Sequence, residues 1–273
     1  MKGGVGKTTV AASLALYATG ARPFYSRNPR KVLAIDLDPQ ANLSQALMGG
    51  TAYRRLLEDK SPSIVEVFKE YQPPTSDKPS PTPLNIRDAV RSVRSGLDII
   101  PSRFDFSDNL IDSIKPDPRV LARLIANNFQ DKDLILIDCA PTESIFTQAA
   151  YHASRYILVP VKPEYFATIG FPLLNDSLTK FRDENQGHLI DVIGVVINNT
   201  TYQSSNDGGP ESKRAKVEIH EEADKNGWHV FGHEIYYSRG FPKMMRGDFN
   251  NLRNAHLFTL FASEFFGRLF DGG

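Results

Sequence analysis

The chain has 273 residues, 41% of them hydrophobic, with Lys+Arg and Asp+Glu at 32 each. That length and apolar content suit the core of one large α/β domain, so a single domain over 1–273 is expected. Zero net charge excludes a global basic field, and any nucleic-acid contact then needs a local patch. The lone Cys139 excludes a disulfide framework and fits a reducing cytosol. No apolar run is long enough for a membrane span, and the N-terminus has no signal-peptide pattern.

In chain order, a glycine-rich loop over Gly3–Gly6 leads into a helix over Thr8–Thr19, with Val10, Ala11, Leu14, Ala15 and Ala18 at helical spacing and Gly20 as its stop. Pro23 and Pro29 mark a loop over Ala21–Arg30. Lys31–Gln40 reads as a strand buried on both faces, because Val32–Ile35 is an unbroken apolar run, and it ends in Asp36 and Asp38. Ser61–Tyr71 is a short helix. Five prolines between 72 and 83 make that stretch an exposed loop. Ile86–Val93 is predicted helical, Leu97–Ile100 a strand and Phe106–Ile114 helical.

A helix over Val120–Ile125 follows Pro118. Leu134–Asp138 is a second buried strand ending in an acid. Ser144–His152 is a helix, Tyr156–Val161 a strand, Thr168–Phe181 a helix and Val192–Ile197 a strand. A polar loop over Thr200–Pro210 precedes a charged helix over Ser212–Asn226. Val230–Ile235 is a short strand candidate, Gly240–Phe249 is irregular, and Leu252–Phe270 is the last helix. Strands alternating with helices predict a doubly wound, mainly parallel sheet with helices on both faces.

The first nine residues carry the sharpest chemistry. Gly3, Gly4 and Gly6 let the backbone turn its N–H groups, including that of Val5, toward phosphate oxygens. Lys7 adds a point charge near the β- and γ-phosphates, Thr8 offers a hydroxyl to Mg²⁺, and Thr9 opens the helix. The general phosphate-loop pattern wants glycine five positions before Gly6, where Met1 stands, and this chain carries Lys2 at the front of the loop. Asp36 and Asp38 alternate on an extended segment, so both can face one ligand. Asp138 ends another strand, as a metal-holding acid in a phosphoryl-transfer site would.

Lys2-Gly-Gly-Val-Gly-Lys-Thr-Thr9 resembles the deviant Walker A box of the ParA/MinD superfamily of ATPases. Asp38-Pro39-Gln40 resembles its second signature, and Asp138-Cys-Ala-Pro-Thr142 its Walker B acid and switch segment. The resemblance implies a P-loop fold with ATP and Mg²⁺ as cofactors. It gives Lys7 and Asp38 catalytic roles, Asp38 orienting the attacking water, with Thr8, Asp36 and Asp138 around the metal. Lys2 would reach across a nucleotide-sandwich homodimer. Asn198, with Asn199 as the competing choice, would recognise adenine, and the Phe241-Pro242 region would line it. Tyr156–Gly170 would face the dimer partner.

The resemblance further implies a cytoplasmic, nucleoid-associated protein that partitions a plasmid or chromosome with a ParB-like adaptor. Two basic clusters, Lys213, Arg214 and Lys216 and then Arg239, Lys243 and Arg246, fit non-specific DNA contact or a solvated face equally well. The alternatives are an ATP-dependent switch that positions another cargo and a MinD-like membrane ATPase. In the last helix Leu257, Leu260, Phe261, Phe265, Phe266, Leu269 and Phe270 read as a sheet-packing stripe, with only Arg253 and Arg268 basic, so membrane attachment is not expected. A single cysteine disfavours an iron–sulfur relative. Finally, a phosphate loop normally follows a central strand. Starting at the loop would leave the strands ending at Asp36 and Asp138 without a partner, so Met1 is expected to be internal, with an apolar strand upstream.

Overall fold

The computed structural model describes residues 4–21, 24, 26, 28–70, 85–104, 117–140, 144–164, 167–200, 209–237, 243 and 255–270. They divide into two compact units. One is drawn from positions 11–153 and 242–250 and the other from 1–10, 154–241 and 251–273, the boundary falling inside helix α1 (Lys7–Ala18).

In the unit of 11–153, the run Val32–Ile35 lies in β1 (Val32–Asp36), whose five residues have no exposure. β3 (Leu97–Ile100) runs parallel to it on one side and β4 (Leu134–Asp138) parallel on the other. β2 (Arg91–Arg94) joins β3 antiparallel, so the order is β2-β3-β1-β4. Leu33 and Ile35 face a core supplied by α4 (Ile64–Glu70), α5 (Val120–Asn128) and α6 (Ile145–Ala153). There the rings of Phe68 and Phe146 meet edge to face at 5.1 Å. Val32, Ala34 and Asp36 alternate onto the other face. Helix α2 (Asn42–Met48) covers that face, since Ser44 bonds the Asp36 side chain there. The sheet thus has helices on both faces, as predicted.

Three differences from the sequence reading stand out in this unit. The stretch Ile86–Val93 is not a helix. A 3-10 turn over Ile86–Ala89 gives way to β2, which turns at Ser95-Gly96 into β3. Gly96 has φ +79, and pairing with β3 supplies the ladder bonds that outweigh the weak helical pattern. Helices α2 and α3 (Gly50–Glu58) fill a stretch for which no element is predicted above. Last, β1 and β4 are direct neighbours, Asp36 opposite Asp138, so the strands expected to flank a missing one pair with each other. Along β4, Leu134–Ile137 is only half-buried. The predicted loop over 72–83 and helix over 106–114 fall outside the described residues.

The other unit has the parallel order β5-β6-β7, from β5 (Tyr156–Val161), β6 (Asp191–Thr200) and β7 (Ile235–Tyr236). The predicted strand over 230–235 shrinks to one bridge, Val195 with Val230, followed by β7. Gly194 permits this approach, since a Cβ there would lie 2.6 Å from the Phe231 ring. Helix α7 (Gly170–Glu184) buries Phe171, Leu174, Leu178 and Phe181. Trp228, the only tryptophan, packs 5.3 Å from Phe171 and is nearly enclosed. Helix α8 (Gly209–Lys225) buries only the narrow stripe Ala215, Ile219 and Ala223.

Helix α9 (Ala255–Phe270) buries Phe258, Phe261, Ala262 and Phe265, and Phe261 meets Phe231 edge to face at 5.3 Å. Glu264 accepts from the N–H groups of Gly232 (2.8 Å) and His233 (3.0 Å), and Arg268 Nε donates to the Ile193 carbonyl at 2.8 Å. Phe258, Phe261 and Phe265 are therefore spent on the helix's own unit, while Leu260 and Phe270 of the predicted stripe are exposed. Among the described residues no helix is long and apolar enough to cross a membrane.

Candidate functional site

The glycine loop belongs to the unit that holds β5–β7. Gly4 and Gly6 adopt φ +75 and +91, a region open to glycine and strained for other residues. Between them Val5 is buried. The Gly6 carbonyl accepts from Val10 N–H at 2.9 Å, so the helix begins directly after the loop, with Lys7, Thr8 and Thr9 half-buried in its first turn. Helix N-terminal N–H groups and glycines in this conformation make an anion-binding concavity. Asn198, buried on β6, reaches this loop: its Nδ2 donates to the Val5 carbonyl at 2.7 Å.

The acids belong to the other unit. Asp36 and Asp138 stand opposite each other at the C-terminal ends of β1 and β4, both buried. Burial and the neighbouring Asp138 charge push the Asp36 carboxyl up to about 8, against the hydrogen bonds from Ser44 and Asp38 that favour its ionised form. Those bonds are specific. Asp38 N–H donates to Oδ1 at 3.1 Å, while Ser44 N–H and Oγ–H donate to Oδ2 at 2.8 and 2.7 Å. Ser102 N–H in turn donates to Ser44 Oγ at 2.8 Å. Three of the roughly four lone-pair positions of a carboxylate are thus taken. Asp36 therefore anchors the turn that presents Asp38. Asp38 is half-buried, and its Oδ1 accepts from Gln40 N–H at 2.9 Å, which closes the turn ahead of Ala41, itself at φ 52.

Two buried carboxylates in register fit a hard divalent cation, whose charge would offset their repulsion. Among the described residues no three His, Cys, Asp or Glu converge on a metal position. A cation here would take few protein ligands and fill its shell with water and phosphate, the habit of Mg²⁺.

The structure thus brings Asp36 to Asp138 and the Asp38 turn, and Asn198 to Val5 and Gly6. Lys213 and Arg214 are exposed on α8, whereas Lys216 is paired with Glu234 at 2.8 Å; Lys243 is exposed. Lys2, Gly3, Thr142, Arg239, Phe241, Pro242 and Arg246, and the side chain of Asn199, lie outside the described part. Sequence reasoning missed Ser44 and Ser102. Ser44 meets Asp36 from 8 positions away and Ser102 meets Ser44 across 58, and no spacing rule signals such contacts.

The family described as AAA domain matches residues 1–190. A chromosome partitioning protein ParA of Caulobacter vibrioides is 32% identical over 213 residues, 75% of this chain and 68% of that protein. The chain belongs to the ParA/MinD superfamily of ATPases. Membership makes it an ATP hydrolase of the P-loop class. An uncharacterized protein of Methanocaldococcus jannaschii is 31% identical over 207 residues, 74% of this chain and 72% of that protein. Among solved structures, apo McdA of Cyanothece shares the fold, with a TM-score of 0.74 at 21% identity over 100% of this chain and 96% of that one. Within this superfamily the glycine loop is the Walker A box.

Proposed function

We propose that this ParA-family ATPase dimerises on ATP and hydrolyses it to partition a plasmid or chromosome, with a ParB-like adaptor as partner. The observation that carries the reading is the loop itself: glycines at φ +75 and +91 around Val5, opening directly into α1 with Lys7 and Thr8 in its first turn. The likeness to the Caulobacter partition protein supports the cellular role.

Each residue then has a task. The loop N–H groups and Lys7 hold the phosphates, and Lys2 of each copy reaches the nucleotide of the other. Bound Mg²⁺ neutralises charge that develops on the transferring phosphoryl group. Thr8 and Asp138 would hold that ion, with Asp36 in support. Asp38 aims the attacking water and accepts its proton, fixed for the task by the Asp36–Asp38 and Asp38–Gln40 bonds. Ile169 and Leu173, more than half exposed at the start of α7, supply apolar surface for the second copy. Lys213 and Arg214 supply charge for nucleoid DNA.

The test is the ATPase rate with Mg²⁺, with and without DNA, beside sedimentation of the protein with ATP, ADP or neither. Turnover stimulated by DNA and a dimer seen only with ATP are expected. Turnover with a monomer in all three states would sink the dimer mechanism.

A further inference from the structure

Asn198 was expected to meet the adenine base, yet its side chain lies against the phosphate loop. We infer that Asn198 is a positioning residue for that loop, fixing the direction of the Gly6 N–H; this rests on the reading of the loop as the ATP phosphate cradle. The side-chain amide donates to the Val5 carbonyl at 2.7 Å, and both residues are buried. A trans peptide is planar, so its C=O and N–H point in opposite directions. Holding the Val5 carbonyl toward Asn198 therefore turns the Gly6 N–H away from Asn198, as one of the donors a phosphate meets.

The support behind Asn198 is stiff. It lies on β6, the middle strand of its sheet, opposite Ile235 of β7, and the preceding Ile197 pairs with Val161 of β5. The contact is also close on its second side. A Cβ on Gly6 would stand 2.1 Å from Asn198 Nδ2, so the loop backbone passes where only glycine fits. The amide thus holds the loop from behind, at the carbonyl of the same peptide whose N–H would meet a phosphate. Its effect is independent of the nucleobase.

The experiment compares ATP with inorganic tripolyphosphate, both with Mg²⁺, by titration calorimetry on the wild-type chain, Asn198→Ala and the isosteric Asn198→Asp. Loss of one buried hydrogen bond predicts that Asn198→Ala weakens both ligands by a similar factor, about tenfold. Asn198→Asp turns a carboxylate toward a carbonyl at pH 8 and should bind as poorly. As the pH falls toward 5 its carboxyl takes up a proton, regains a donor for Val5 O, and the ratio of its affinity to that of wild type should rise. That recovery separates positioning from general damage to the fold, and it stands even if Asn198→Ala does not fold. Weakened ATP binding with unchanged tripolyphosphate binding would make Asn198 a base contact and overturn the inference. A ratio for Asn198→Asp that is flat with pH would overturn it as well. A wild-type chain that binds neither ligand would instead remove the phosphate-cradle reading on which the inference rests.

Discussion

Asn198 Nδ2 sits where a side chain on Gly6 would have to go, 2.1 Å from the Cβ position. Gly6→Ala therefore meets a buried amide and, at φ +91, a strained backbone. The expected cost is about 1–3 kcal/mol of stability, with ATP affinity falling at least about tenfold. Adding Asn198→Ala removes the collision but leaves the strain, so the double variant should recover part of the loss. Urea unfolding of all four proteins measures that coupling, and strict additivity would count against the contact.

The Asp36 carboxyl is raised from 3.8 to about 8 by burial and by the charge of Asp138. A carboxyl that holds its proton more tightly when folded stabilises the fold fully below its unfolded value, and loses that contribution as pH rises through the folded value. Ligand-free protein should thus become less stable between pH 5 and pH 8. Glu264 and Asp131, whose values are lowered, act below that window. Asp138→Asn removes one cause of the shift and should flatten the slope, as should saturating Mg²⁺ with ATP. Melting temperatures across the window test both.

Asp38→Ala should leave ATP binding close to wild type while lowering kcat by about 10²–10⁴-fold, the usual loss of a general base. The variant also loses the bond from Gln40 N–H, at a cost of about 1 kcal/mol of stability. Retained turnover would move the task to another acid. Retained partition without turnover would favour a clamp that uses ATP only to hold two copies together.

On α8 the three cations of one cluster are not equivalent. Lys213→Ala with Arg214→Ala should weaken DNA retention and lower the slope of log affinity against log salt by about 2, roughly one for each phosphate left unneutralised. Lys216 is engaged by both Glu234 oxygens, at 2.8 and 2.9 Å. Its change to Ala should cost about 1–3 kcal/mol of stability and leave the salt slope nearly untouched. Filter binding over a salt series separates the two.

Phe261 has no exposure and meets Phe231, Phe258 and Phe265. Phe261→Ala should destabilise the protein by about 3–5 kcal/mol. Since this stripe packs within its own unit, sedimentation with anionic liposomes and ATP should leave the wild-type protein in the supernatant. Lipid-dependent pelleting would show that α9 leaves its seat.

Much of the fold was legible because the strands that end in Asp36 and Asp138 read as unbroken apolar runs, and β1 is indeed enclosed along its whole length. The loop was legible because glycine, lysine and threonine at fixed spacing have a direct chemical use. β2 was not, since Arg91–Arg94 has no apolar run and takes its form from pairing with β3. The hold of Ser44 on Asp36 and of Asn198 on Val5 was invisible for another reason: Asn198 and Val5 are 193 positions apart, and only the folded chain brings them together. A sequence shows which groups can do chemistry more readily than which groups hold them still.

Trp228 packs on Phe171 in the unit of β5–β7, and the chain has no second indole. Its emission is therefore an intrinsic optical label for that half of the molecule, the half that carries the Walker A loop and Asn198. Circular dichroism at 222 nm, in contrast, sums over helices in both halves. Followed side by side through denaturant, the two signals divide the unfolding of this ATPase into its parts with no dye or engineered probe.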